Sequence, residues 1–322
     1  MLLSLQDASK KIERGLRLVI AGDEALLSKL PKGDWIGGTI PYFMAHDGGK
    51  VTKDQLFVHD LTGCTQGAAI KYYGHEDLPN IAKDAPEQGF SVLVVPGFSA
   101  VHHEYAENAP NYEDIFMKPI LGWVSGIHLS DLGKVSPKVF NGADGTCSDN
   151  KAVAIHFQIE KGKTAIVNIL NVFKQGSGDT LTFEEEGFVV KNCLVNGVKQ
   201  DFADYIKNNN IDTKLPLVAD YSGAKVNVSY QGLREADGAV MMYAPVFQGV
   251  EYKFAEPVPD YVAAFQSIVP KEATPVFACN CILNFLYSEL EGKVIENMYG
   301  PITFGEVAYQ LVNQTLVYLE VK

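Results

Sequence analysis

The chain has 322 residues, 47% hydrophobic and 20% charged, the balance of a folded globular protein and not of a disordered, collagen-like or disulfide-scaffold chain. That length suits two domains, or one large α/β unit with two lobes. With 39 acidic against 27 basic residues the formal charge is -12, a field that repels phosphate backbones and anionic lipid heads, so neither nucleic acid nor a membrane is expected as a partner.

The opening MLLSLQDASKKIERGL is charged from Asp7 onward and lacks the apolar run and cleavage site of a secretory signal, so a cytoplasmic protein is expected. Residues 5–30 carry Ile12, Leu16 and Val19 or Ile20 at helical spacing and predict a helix leading into Pro31-Lys32-Gly33. Next comes GDWIGGTIPYFM, residues 33–44, mostly apolar but with Gly37-Gly38 in its middle and Pro41 after them. Two readings fit. The missing Cβ atoms let a ligand or a neighbouring lobe approach the backbone, or the glycines mark a bulge or tight bend finished by Pro41. Residues 55–61 read as a strand, and the unbroken apolar run 90–95 as a strand covered on both faces, ended by Pro96-Gly97.

Residues 103–117 predict a helix broken at Pro110. A second glycine-interrupted segment, residues 119–126, precedes strands at 138–141 and 152–159, joined by a loop at 142–149 that lacks the spacing and terminal glutamate of a calcium loop. Small polar residues at 175–179 mark the expected boundary between an N-terminal half, 1–174, and a C-terminal half, 175–322. In the latter, 187–195 reads as a strand, Asn196-Gly197 as a hairpin turn and 200–208 as a helix. Strands at 225–230, 238–245 and 275–279 surround a helix at 259–268, and a helix-bearing stretch runs from 280 to 291, followed by 300–306 and 307–317. The fold expected is α/β in the broad sense, mixed α+β, with two lobes that each hold a mixed β-sheet covered by helices.

The sharpest local signal is VFACNCILN, residues 276–284, a strand running straight into a helix, whose first amides and dipole suit a polar ligand. Asn280, Asn284, Tyr287 and Glu291 recur as one polar stripe. Cys279, Asn280 and Cys281 are then either pocket residues, or small core side chains with Asn280 as an N-cap. The cysteines are five, odd and scattered, which fits reduced thiols, and Cys-x-Cys without a second ligand pair predicts no metal site. The adjacent His102-His103 could supply a metal or haem ligand but cannot chelate from one helix face; a solvated or helix-capping pair is the alternative. His156 reads as a hydrogen-bonded core or rim histidine. Asn313-Gln314-Thr315 matches a glycosylation pattern by chance. Phosphate-loop, dinucleotide, serine-elbow and HExxH motifs are absent from the sequence.

Several stretches together resemble a FIST domain, a bacterial sensory-input family proposed to bind small ligands such as amino acids. In the first half these are Trp35-Ile-Gly-Gly-Thr39, Leu121-Gly-Trp-Val-Ser-Gly126 and Lys138-Val-Phe-Asn-Gly142. In the second they are Leu194-Val-Asn-Gly197, Phe202-Ala-Asp-Tyr205, Phe277-Ala-Cys279 and Gly300-Pro-Ile-Thr-Phe-Gly-Glu306. The resemblance implies a stand-alone bacterial sensor in signal transduction, with a small-molecule ligand, a separate signalling partner and no chemistry of its own. Its pocket would be lined by Gly37, Gly38, Thr39, Trp123, Ser125, Cys279, Asn280, Cys281, Asn284, Gly305 and Glu306. No cofactor is expected, although some family members bind haem and sense nitric oxide, which gives a second expectation. A third, from another class, is a hydrolase using Cys279 or Cys281. Cys281 stands where the family commonly has an arginine, and Asn196 where an aspartate is usual; a thiol offers no bidentate donor for a ligand carboxylate.

Overall fold

A computed structural model describes residues 1–322. The first helix, Leu5–Glu13, starts where the Ser4 hydroxyl accepts from the Asp7 amide at 3.1 Å and buries Ala8 and Ile12. It stops short of the sequence expectation. Gly15 takes a left-handed φ of 73°, and the next apolar residues form a wholly buried strand, Leu18–Gly22, so residues 5–30 are helix, strand and the short helix Glu24–Leu27. An all-apolar run fits either period, and burial on both faces selects the strand.

Three six-stranded sheets, each mixing parallel and antiparallel pairs, build the main body. In the first, Leu18–Gly22 lies parallel to Trp35–Thr39, with Leu56–Asp60 and Val139–Asn141 on the outer sides. In the second, Gly89–Pro96 runs parallel to Ile120–Ser125, which pairs in turn with Glu306–Ala308. The third joins Ala165–Leu170, Leu316–Val321, Phe277–Cys281, Gly300–Thr303 and Tyr42–Ala45. The segment GDWIGGTIPYFM therefore gives one strand to the first sheet and another to the third, turning at Ile40-Pro41. The fold is mixed α+β, with helices over mixed sheets.

Past the expected boundary at 175–179 the chain forms two antiparallel sheets from residues 181–254, whose own core centres on Phe183, Phe202 and Tyr252. The Asn196-Gly197 turn, with both φ angles positive at 48° and 84°, closes the hairpin of Asn192–Val195 with Val198–Asp201. The chain then returns, and residues after 277 complete the second and third sheets. The helix-bearing stretch 280–291 holds the helix Ile282–Tyr287, and 307–317 belongs to the strands Glu306–Ala308, Gln310–Val312 and Leu316–Val321, the first of which pairs with Ile120–Ser125 far earlier in the chain. The helix expected at 103–117 is Ala100–Asn108, ending in a single tight turn at Pro110.

Candidate functional site

The strand Phe277–Cys281 passes directly into Ile282–Tyr287 with Cys281, not Asn280, at the N-cap position. Asn280 instead uses its Oδ1 to accept from the Cys281 amide and from Asn284 Nδ2, both at 2.8 Å. Asn284 also donates to the Thr315 carbonyl and accepts from the Tyr261 hydroxyl. The polar stripe ends there, since the helix stops at Tyr287 and leaves Glu291 outside it.

Cys279 Sγ donates to the Gly122 carbonyl at 3.3 Å, tying this strand to the second glycine segment. Across the sheet edge Trp123 pairs in register with Glu306. Glu306 is fully buried: its Oε2 accepts from the Thr315 amide at 3.3 Å and hydroxyl at 2.7 Å, while Thr303 Oγ1 and the Cys281 thiol lie against it. Burial pushes its carboxyl up to about 8, outweighing those hydrogen bonds. Burial, with Glu306 beside them, also raises the Cys279 and Cys281 thiols well above their ordinary value.

On the other side of Trp123 the two glycine segments meet. A Cβ at Gly38 would lie 2.6 Å from Val94 Cγ1 and 3.1 Å from both Ser125 Cβ and Trp123 Nε1, so only glycine leaves room for this approach. Gly37 faces the neighbouring strand, with Ile20 O at 2.7 Å from its Cβ position, and Gly305 packs on Val124. Thr39 continues outward, its Oγ1 accepting from the Lys138 amide, and lines a polar cleft of about 440 Å³ with Asp23, His128 and Asp131. Lys53 pairs with Asp131 there at 2.6 Å.

The predicted positions thus gather around Trp123 and Glu306, but most are sealed in packing. Cys281 alone among them opens onto an apolar cavity of about 90 Å³. The cavity lies between the main body and the 181–254 unit, which contributes Gln231 and Tyr243. Junctions of this kind are common places for small-molecule sites. Its opposite wall is the strand-to-helix turn after Pro96. Phe98 holds a left-handed φ of 64°, and its amide is 3.3 Å from His102 Nδ1, which accepts the bond. Burial pulls the His102 pKa down to about 3 and keeps the ring neutral, while His103 stacks on Phe188 outside. With Nδ1 accepting, the His102 proton sits on Nε2, and that N–H has no partner. Asn313, 1% exposed, also lines the cavity with an unpartnered Nδ2.

A family model matching residues 3–322 spans both walls of this cavity and all five sheets of the fold. The chain belongs to DUF6976, a family of unknown function. Neither a curated protein nor a solved structure matches it. In this DUF6976 member a second buried polar chain runs through the other sheet face. Ser91 Oγ and the Tyr73 hydroxyl bond the two nitrogens of His156 at 2.7 and 2.8 Å, and Tyr73 continues to Asp84, so that His156 is a hydrogen-bonded core residue. No three His, Cys, Asp or Glu side chains are arranged to hold a metal ion, and no helix is long and apolar enough to cross a membrane. Phe98, Gln231, Tyr243 and Asn313 were not singled out as site residues from sequence. Asn313 had a signal, a polar Asn-Gln-Thr run among apolar residues, but it matched a glycosylation pattern as well.

Proposed function

We propose that this DUF6976 chain is a small-ligand-binding sensory protein, FIST-like in kind, that carries out no reaction of its own and passes the bound state to a separate signalling partner. The observation that carries this reading is the cavity bounded by His102, Cys281 and Asn313, in whose wall two nearly fully buried polar side chains, His102 and Asn313, each have an atom without a hydrogen-bond partner. Buried polar groups in native proteins are almost always hydrogen-bonded, so such a pair is a place prepared for a ligand group. At about 90 Å³ the cavity has room for roughly six to nine water-sized groups, the size of a small metabolite. Its place between the 181–254 unit and the main body supports the relay, because a ligand held by both biases how they sit together.

The haem-binding alternative fits this cavity poorly. Drug-sized ligands occupy clefts of about 300–1,000 Å³, so a porphyrin would need the walls to part before reaching His102. The hydrolase alternative asks for an accessible thiolate, whereas burial beside Glu306 keeps Cys279 and Cys281 as thiols. A metabolite screen by thermal shift on the full chain tests the reading. At least one small molecule is expected to raise the midpoint saturably, because a ligand that binds only the native state stabilises it. A broad screen with no stabilising compound would contradict it.

A further inference from the structure

Resting on that reading, we infer that the cavity selects an uncharged ligand: a short apolar chain or small ring bearing one neutral group that both donates and accepts hydrogen bonds, a primary carboxamide being the best match. None of the fourteen lining residues is Lys, Arg, Asp or Glu. An ion taken into a largely apolar space without a counter-charge loses hydration that nothing there replaces, a cost that outweighs a single hydrogen bond. Behind the wall Glu306 lies against the Cys281 thiol, and its carboxyl is no counter-charge for an anion.

The polar groups define the head of the ligand. His102 offers Nε2–H, so the ligand must accept there. At Asn313 the requirement is two-sided. The Ser229 hydroxyl lies close to both Asn313 Oδ1 and Gln314 Oε1 but has a single hydrogen, and Gln314 is held by its own Nε2 donating to the Lys214 carbonyl. The Asn313 amide is therefore free to present either its NH2 or its carbonyl to the cavity. A carboxamide satisfies His102 and Asn313 in both cases; a carboxylate only accepts, and an ammonium only donates.

The remaining walls define the tail. Phe98, Leu132 and Leu286 are 51%, 45% and 40% exposed and line the same cavity, so the mouth is an apolar rim that covers a short hydrocarbon chain. The zwitterion of an amino acid, with two charges on one carbon, fits neither head nor tail.

The test is a matched series on the full chain: butyramide, butyrate and butylammonium at millimolar concentrations, read by thermal shift and confirmed by calorimetric titration. Butyramide is expected to stabilise saturably, with the two ions at least tenfold weaker. Leu286→Trp, at an exposed rim position, is expected to fold normally and lose the effect, and His102→Phe to weaken binding by about tenfold. Binding of either ion equal to or tighter than that of the amide would overturn the inference and leave the small-ligand reading standing. So would no response to any of the three in a protein that other metabolites stabilise. If no metabolite of any class stabilises the chain, both fall.

Discussion

Glu306 and Thr315 are joined twice, the carboxylate Oε2 accepting from the Thr315 hydroxyl at 2.7 Å and from its amide at 3.3 Å, in a region with no solvent access. The facing oxygen meets Thr303 Oγ1, which is also within reach of the Asn280 and Gly305 carbonyls. One hydroxyl hydrogen cannot serve three acceptors, and a protonated Glu306 resolves this by donating to Thr303.

The pH dependence follows from that proton. An unfolded chain releases it near the ordinary value of 4.5, while the folded chain holds it up to about 8. Between the two the folded state binds more protons, so stability falls as pH rises through this window, and the loss is complete above it, on the order of a few kcal/mol. Glu306→Gln keeps the volume and removes the titration. Urea unfolding at a series of pH values should show a flatter profile for the variant across the window; an unchanged slope would mean that Glu306 is ionised in the fold.

The contact between the glycine segments predicts a local asymmetry. Gly38→Val drives a side chain into Val94 and Trp123 and should cost about 1–3 kcal/mol by overpacking. Gly63→Ala, with nothing near its Cβ position and no positive φ, should stay within about 0.5 kcal/mol of the parent. Denaturant midpoints decide this, and equal midpoints for the two variants would contradict the packing described.

Cysteine reactivity should follow burial. Iodoacetamide on the native chain is expected to label exposed Cys147 first and half-buried Cys64 slowly, and to spare Cys193, Cys279 and Cys281 until the protein unfolds. Mass spectrometry of timed digests reads the order. Labelling of Cys281 ahead of Cys147 would revive a nucleophilic role.

Some of this was legible in the chain itself. The strand at Gly89–Pro96 declared itself because burial on both faces demands an unbroken apolar run, and Asn196-Gly197 because two consecutive positive φ angles favour those residues. In the fold the two glycine segments pack against each other at Gly38 and Trp123, and Cys279 lies in the same region as Glu306. What escaped was non-local. Leu18–Gly22 looked helical until its sheet neighbours were known, and the strand Glu306–Ala308 pairs with Ile120–Ser125, whose position no local pattern encodes. The cavity draws on residues from 97 to 313, and His102 and Asn313 differ from ordinary surface polar residues only by what the fold closes over them.

The central claim is that the cavity between the 181–254 unit and the main body is where a small ligand binds. A crystal structure of the full chain with the most stabilising compound tests it most directly. The account predicts density enclosed by Cys281 and Tyr243, with a polar end on His102 Nε2 and Asn313. Density in the polar cleft of Asp23, Thr39 and His128, with the cavity collapsed or unchanged, would contradict it.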